Sequence, residues 1–312
     1  MTAIRTQHLC KKYGHNTAVA DLCLEIETGE IFTLLGANGA GKSTTVNLLT
    51  SLQKPTSGSA SVFGKDILAN YKDVRLMISL MPQGHALDPF LSVYNNLRFF
   101  AMLEGLDRTY WKGKVDEILT ELDLFEKEDA SVMALSGGQF RRLQLARCFL
   151  SNRPLAFFDE PTLGIDVVGK FKIWDLIKKH ARENNWTVIL CTNDMAEAEC
   201  LSDRIAFLRD GEVVRIGTPD QLKSQVAGRQ VKVSFKEPPL TAITSINGHP
   251  VIHENSDIFI FVDDNQSDLR PLLNKISEFG PISNLNIEKP SLVDVFKAMK
   301  GGRNDRNNLE RN

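Results

Sequence analysis

Apolar and polar positions along the chain switch several times between a period of two and a period near 3.6. Residues 2–9 and 19–26 read as strands, with alternation in Val19-Ala20-Asp21-Leu22-Cys23-Leu24-Glu25-Ile26. Glu30–Leu35 reads as a buried strand and Ser43–Leu52 as a helix. Pro55-Thr56-Ser57-Gly58 marks a turn before a short strand at Ser59–Phe63, and Ile78–Met81 is a further short strand. From 90 to 150 the helical period takes over. Val93, Leu97, Phe100 and Ala101 share one face of Ser92–Leu103, and Val115, Ile118, Leu119 and Leu122 share a face of Tyr110–Leu122. A long helix is predicted over Phe140–Leu150, then a strand at Leu155–Phe158. A helix at Val167–Asn184, with Phe171, Trp174 and Ile177 inward, and a strand at Thr187–Cys191 follow. Asp210-Gly211 joins Arg204–Leu208 to Val213–Ile216 as a hairpin, and Thr218-Pro219 starts a helix. This is an α/β pattern carrying an all-helical insertion at about 88–150, and it closes near residue 226.

A second unit is predicted over 229–300. Val231–Phe235, Ile258–Val262 and Ile282–Ile287 read as strands. Asp268–Phe279 reads as a helix, and Ser291 caps a final helix to Met299. About 70 residues suffice for a small α+β domain with a limited core. The tail 301–312 (GGRNDRNNLERN) is polar and is predicted to be disordered.

Chemistry enters between the strand at 30–35 and the helix after it. Gly36-Ala37-Asn38-Gly39-Ala40-Gly41-Lys42-Ser43-Thr44 fits G-x-x-x-x-G-K-[ST], the phosphate-binding loop. Its glycines let successive N–H groups converge on one anion, and the helix dipole points at the same place. Lys42 supplies a charge for the β- and γ-phosphates, and the Ser43 hydroxyl is suited to Mg²⁺. About 100 residues on, Ser136 and Gln139 of Leu135-Ser136-Gly137-Gly138-Gln139 form an S-x-x-Q capping box. It is read either as a helix cap alone or as a second phosphate surface, since Gly137 and Gly138 leave N–H groups open. Asp159 and Glu160 follow a fully apolar strand, where open α/β sheets place functional groups. Asp159 can hold Mg²⁺ through water, and Glu160 can orient or deprotonate an attacking water. Tyr13, in the turn Lys11-Lys12-Tyr13-Gly14, either stacks on a nucleotide base or packs on its turn. Gln83, just past a strand end, reaches a ligand or is an ordinary loop residue.

Composition narrows the setting. The chain has 312 residues, 42% hydrophobic and 24% charged, with a net charge of −2, so no strong electrostatic pull toward nucleic acid is implied and any basic patch would have to be local. Cys10, Cys23, Cys148, Cys191 and Cys200 show no metal-ligand spacing and read as reduced thiols of a cytosolic protein. No signal peptide opens the chain, and no apolar run approaches the roughly 20 residues that span a bilayer. Any work at a membrane therefore needs a partner that carries the membrane part.

With these motifs in place, residues 2–226 resemble the nucleotide-binding subunit of an ABC (ATP-binding cassette) transporter. Gly36–Thr44 matches the Walker A loop, Gln83 the Q-loop, Leu135–Gln139 the LSGGQ signature, and Leu155–Glu160 Walker B with its catalytic Glu. Tyr13 matches the adenine-stacking aromatic, and Pro161–Asp166 the D-loop. The resemblance implies a P-loop NTPase cassette with a RecA-like core, an N-terminal antiparallel β subdomain and a helical subdomain. It also implies ATP and Mg²⁺ as ligands. Gly36, Asn38, Gly39, Ala40, Gly41, Lys42, Ser43 and Thr44 would then contact one nucleotide, and Ser136, Gly137, Gly138 and Gln139 that of a partner. Ser43, Gln83 and Asp159 would serve the metal, and Glu160, Gln83, Asn193 and Asp166 catalysis. Two cassettes would pair head to tail, with homodimer favoured over heterodimer.

Two departures stand out. After Thr187–Cys191 the family has Thr-His, whereas this chain reads Thr192-Asn193-Asp194. Asn193 can donate an N–H to phosphate but cannot carry a proton, which questions the hydrolysis rate rather than binding. Phe140 stands where the family places a basic or polar residue. Residues 229–300, ending in Pro290-Ser291-Leu292-Val293-Asp294-Val295-Phe296, resemble the C-terminal extension on ATPases of ABC-2-type exporters. The expectation is a motor subunit at the cytoplasmic face of the membrane, bound to an ABC-2-type permease. Rival expectations are a slowly hydrolysing regulatory cassette, a soluble ribosome-acting ABC protein, and a DNA-repair ATPase. The second normally has two cassettes in one chain, and the third has a long coiled coil between its motifs; neither feature is present.

Overall fold

The apolar run at 31–35 is buried at every position because it lies inside a sheet with both faces covered. The fold was obtained as a computed structural model, which describes residues 1–84, 86–224, 229–236, 243–254, 257–262, 268–288 and 291–301. Of the tail 301–312 predicted to be disordered, Gly301 is helical and 302–312 lie outside the described residues, as does the predicted cassette end at residue 226.

In chain order, β1 (Thr2–Tyr13), β2 (Asn16–Leu22) and β3 (Glu25–Glu27) precede β4 (Ile31–Leu35) and α1 (Lys42–Leu49). Then come β5 (Ser57–Val62), β6 (Lys65–Asp66), α2 (Tyr71–Leu76) and β7 (Ile78–Met81). The helical insertion holds α3 (Val93–Leu103), α4 (Arg108–Glu121) and α5 (Gly137–Ser151). β8 (Leu155–Asp159), α6 (Val167–Glu183), β9 (Thr187–Thr192), α7 (Met195–Leu201), β10 (Arg204–Arg209) and β11 (Glu212–Gly217) follow.

The central sheet has the order β11-β10-β4-β9-β8-β7. From β10 to β7 neighbouring strands pair in parallel, with Leu35 beside Thr192 and Asp159 beside Cys191. Alternate residues of one strand enter different cores. Leu155 and Phe157 join Phe32, Leu34 and Ile189 against the N-terminal strands and α1. Ala156 and Phe158 join Val188 and Leu190 against α5 and α6. A second sheet, β2-β1-β5-β6 with β3 beside β1, covers the first face, and its strands pair antiparallel. The fold class expected from the sequence is therefore present.

Several local expectations change. The first strand runs to Tyr13 rather than to residue 9, bulged where His8 adopts φ 50. The predicted strand 19–26 is two strands. The Thr6 hydroxyl splits them, donating to Leu22 O at 2.8 Å and accepting the Leu24 N–H at 2.8 Å. α1 stops at Leu49 because Ser51 turns to φ 58. Asp107 caps α4 and starts it at Arg108, two residues earlier than predicted. Phe171 does not point inward. It is 54% exposed, because the buried stripe of α6 runs through Ile173, Trp174, Ile177, His180 and Ala181, and Phe171 only touches Trp174 edge-on at 5.0 Å. Phe140 packs on the helical core and lines an apolar cavity of about 630 Å³ with Leu87, Val132 and Leu135.

The chain divides into compact units, Met1–Ile216 and Gly217 onward. The second unit includes α8 (Pro219–Ser224), which packs on α10 (Leu292–Gly301), whereas the sequence grouped residues up to 226 with the cassette. Its sheet runs β13 (Ser245–Ile246), β14 (His249–Glu254), β15 (Asp257–Val262), β12 (Arg229–Phe235), β16 (Ile282–Glu288), with α9 (Arg270–Ser277) completing a core of Val231, Val233, Ile260, Leu272 and Ile276. Ser291 caps α10 reciprocally, its N–H donating to the Asp294 carboxylate at 2.8 Å.

The Thr6 bridge gives a direct stability test. Thr6 is 3% exposed, so Thr6→Val leaves the Leu22 carbonyl and the Leu24 N–H without their buried partner. We expect a loss of about 1–3 kcal/mol in urea unfolding. An unchanged midpoint would contradict the bridge.

Candidate active site

Residues 36–44 leave the end of β4 and enter α1. Gly41 sits at the helix start with φ 103, where a Cβ would lie 2.4 Å from Ala18 O. At Gly36 a Cβ would lie 2.5 Å from Leu208 O. Backbone from β2 and β10 therefore closes on the loop at both glycines. Lys42 is 6% exposed, and its ammonium donates to Gly36 O at 2.6 Å and Ala37 O at 3.2 Å. It also stands 3.7 Å from the Glu160 carboxylate.

Four neighbouring parallel strands end here. β4 delivers the loop, β7 delivers Gln83, β8 delivers Asp159 and Glu160, and β9 delivers Asn193. Carboxyl ends of such strands are where open α/β sheets bind ligands. A cavity of about 640 Å³ lies across them, lined by Tyr13, Asn38–Thr44, Gln83, Asp159 and Glu160, and also by Asn16, Thr17, Ala18 and Asp210. Tyr13 is 45% exposed at the cavity; its hydroxyl donates to Gln53 Oε1, and the Lys11 ammonium lies 5.1 Å from its ring centre.

Asp159 accepts the Ser43 hydroxyl at 2.8 Å through Oδ2, while Oδ1 is buried and has no hydrogen-bond partner among the described residues. Burial raises its carboxyl above the usual range, and the Ser43 bond, Lys42 and Arg141 oppose that. An orphaned buried carboxylate oxygen beside a hydroxyl is a donor set that fits Mg²⁺. Ser43, Asp159 and Gln83 are the groups that would hold it, and it would neutralise charge on the phosphates.

Glu160 is 5% exposed and adopts φ 54, a left-handed conformation that non-glycine residues take at a cost. Its N–H donates to Cys191 O at 2.8 Å. Burial pushes its carboxyl up; Lys42 and the Asn193 backbone N–H pull it down, and Glu197 and Asp159 add repulsion. A carboxylate poised above its ordinary range is suited to accept a proton from water. The Asn193 side chain reaches toward Asn38 Oδ1 at 3.4 Å, so it contacts the loop itself.

The other predicted residues sit elsewhere. Ser136, Gly137 and Gly138 line a separate cavity of about 540 Å³ together with Asp166, Arg142 and Lys172. Both arms of the capping box are formed, Gln139 N–H to Ser136 Oγ at 3.2 Å and Ser136 N–H to Gln139 Oε1 at 3.0 Å. Asp166 does not line the cavity that holds Glu160. It caps α6 by accepting the Gly169 N–H at 2.9 Å, and that bond keeps its carboxyl below the usual range. Residues the sequence did not single out include Arg141 and Gln144, buried polar side chains on a helix whose neighbours Leu143, Leu145 and Ala146 are core. That mismatch was the available signal. Glu197, 1% exposed and accepting from Thr162 at 2.6 Å and Trp174 at 3.0 Å, was likewise not singled out.

A phosphate loop, a buried acid pair at the end of a nearby parallel strand and an inserted helical subdomain define a P-loop nucleotide-binding cassette. The family model for "ABC transporter" matches residues 19–163, and the model for "ATP-binding protein DrrA1-3-like, C-terminal domain" matches 217–299. Daunorubicin resistance ATP-binding protein DrrA3 of Streptomyces coeruleorubidus is 32% identical over 96% of both chains. Nod factor export ATP-binding protein I of Cupriavidus metallidurans is 36% identical over 96% of this chain and 98% of its own. A structure described as an ATP binding subunit of an ABC transporter superposes with TM-score 0.66 at 26% identity, covering 72% of this chain and 93% of that one. An ATP-binding cassette in a post-hydrolysis state, bound to ADP and Pi, gives 0.64 at 28% identity, covering 69% and 98%. The chain belongs to the ABC transporter ATP-binding proteins, with a DrrA-like C-terminal domain, and it is an ATPase.

The raised carboxyl of Glu160 fixes the sign of a pH effect. The wild type loses stability as pH rises from the ordinary value of 4.5 through the folded-state value. The neutral Glu160→Gln variant lacks this contribution, while Asp159 and Glu197, whose carboxyls burial also raises, titrate in both proteins. Its thermal midpoint relative to wild type should therefore be higher at about pH 7.5 than near pH 4.5. A gap that narrows with rising pH would contradict the assignment.

Proposed function

We propose that the protein is the ATP-hydrolysing motor subunit of an ABC-2-type exporter, working as a dimer of cassettes bound to an integral membrane permease at the cytoplasmic face. The observation that carries the dimer is at Gly137 and Gly138. Neither has positive φ, and a Cβ at either would meet no atom of the described residues within 4 Å. Nothing described within the chain calls for glycine there, whereas close approach of a phosphate to the helix N-terminus does. With its own phosphate loop opening on a different cavity, the chain has two anion surfaces. Each makes sense as half of a site completed head to tail by a second cassette.

In that arrangement Lys42 and the loop amides bind the β- and γ-phosphates, and Tyr13 stacks on adenine. Ser43, Asp159 and Gln83 hold Mg²⁺, and Glu160 takes the proton of the attacking water. Asn193 contacts the γ-phosphate, and Asp166 works at the interface beside the signature. Export is supported by relatives matched over nearly their whole length, a daunorubicin resistance ATP-binding protein and a Nod factor export ATP-binding protein. Among the described residues no helix is long and apolar enough to cross a membrane, which agrees with a separate membrane subunit. Retention of Glu160 and the rest of the cis site favours a homodimer.

Two variants test this reading. Glu160→Gln should bind ATP, turn over roughly 10²–10⁴ times more slowly, and elute as an ATP-dependent dimer in size-exclusion chromatography. A monomer with normal turnover would refute both the base and the dimer. Asn193→His should raise the steady-state rate, since a missing transition-state donor can cost roughly 2.7–4 kcal/mol. A rate that stays level or drops would make Asn193 a working substitute.

A further inference from the structure

Past the end of β7, the chain segment carrying Gln83 turns its carbonyls toward α5. Three side chains on successive turns of that helix collect them. Arg141 Nη1 donates to Pro82 O at 3.4 Å and Nη2 to Gln83 O at 3.2 Å. Gln144 Nε2 donates to Gly84 O at 2.7 Å, while its Oε1 accepts from Arg141 at 2.9 Å. Arg147 donates to Ala86 O, and its guanidinium lies 4.4 Å from the Phe100 ring centre.

The arrangement is costly for packing alone. Arg141 is 8% exposed and Gln144 2%, and Leu143, Leu145 and Ala146 beside them are apolar core. A Leu or Met would fill such positions without burying a charge. Burial weakens the hold of Arg141 on its proton, and the charges of Asp159 and Glu160 act against that. The guanidinium therefore lies within electrostatic reach of the acid pair, yet it spends its hydrogen bonds on the backbone of the Gln83 segment. Its planar fork can serve two successive carbonyls at once.

We propose that Arg141, supported by Gln144 and Arg147, is a positioning residue for Gln83. It fixes the backbone from which Gln83 reaches the Ser43–Asp159 end of the cleft. Because α5 begins at Gly137, the signature motif and the Gln83 segment are carried by one rigid helix. A shift of that helix, such as nucleotide contact at the signature would cause, displaces Gln83 in the chain's own site. The proposal rests on the reading of Gln83 as a Mg²⁺ ligand.

The test is a titration of ATP onto the full-length protein with and without Mg²⁺, read by calorimetry. Without Mg²⁺, Arg141→Met should bind ATP as wild type does. With Mg²⁺, wild type should gain affinity, and Arg141→Met and Gln83→Ala should both lose that gain, by about tenfold or more as for supporting groups behind metal ligands. The Mg²⁺ concentration for half-maximal ATPase should rise in parallel, with kcat reduced. Arg141→Lys, which retains donors, should recover part of the effect. If Arg141→Met is poorly folded, Gln144→Leu should show the same change more weakly. If Gln83→Ala shifts the Mg²⁺ response and neither Arg141→Met nor Gln144→Leu does, the positioning role is wrong while the Gln83 reading stands. If Gln83→Ala itself has no effect, both fall together.

Discussion

Two carboxylates and one ammonium, each at least nine-tenths buried, meet where the central parallel strands end. Charges removed from water are tolerated only when their remaining polar atoms find partners. Most do here. Lys42 is held by two carbonyls of its own loop, Asp159 by Ser43, and Glu160 by Lys42 and the Asn193 backbone N–H. The oxygen left over, Asp159 Oδ1, is one that a cation beside Ser43 would use. The apolar cores on both faces of the sheet keep this cluster in a low-dielectric setting, where it interacts strongly with phosphate charge.

The rest of the first unit serves that cluster. β2 and β10 press their backbones against Gly41 and Gly36, so the loop has one shape. Cys191 O anchors Glu160 in a backbone conformation that turns its carboxylate to the cleft. α5 bonds the Gln83 segment from the side while presenting two unobstructed glycines at its tip. Functional groups therefore rest on strand ends and helix ends rather than on long loops, which limits how far each can drift.

Much of this was legible in the sequence where spacing alone encodes geometry. The phosphate loop needs its glycines and lysine at fixed offsets, and the capping box needs Ser136 and Gln139 three apart. Alternation of the two cores across β8 was implied by its unbroken apolar run. Other features depend on contacts distant in sequence and left no periodic mark. The Thr6 bridge between β2 and β3 spans 16 and 18 residues. The Arg141 contact with Gln83 spans 58 residues. The short helices α2 and α7 are too brief to show a period, and Phe171 sits at the edge of a stripe where periodicity cannot tell core from surface. Asp166 was placed with the catalytic residues by its motif, whereas its position is the cap of α6 beside the signature cavity.

The central claim is that the buried cluster around Lys42 is where ATP binds. Calorimetric titration of ATP onto the wild type and Lys42→Ala measures this most directly. The account predicts saturable binding by the wild type and a loss of at least about tenfold in affinity for the variant, equivalent to about 1.4 kcal/mol, with the folded state retained. Equal affinity in the two proteins would place the nucleotide elsewhere and contradict it.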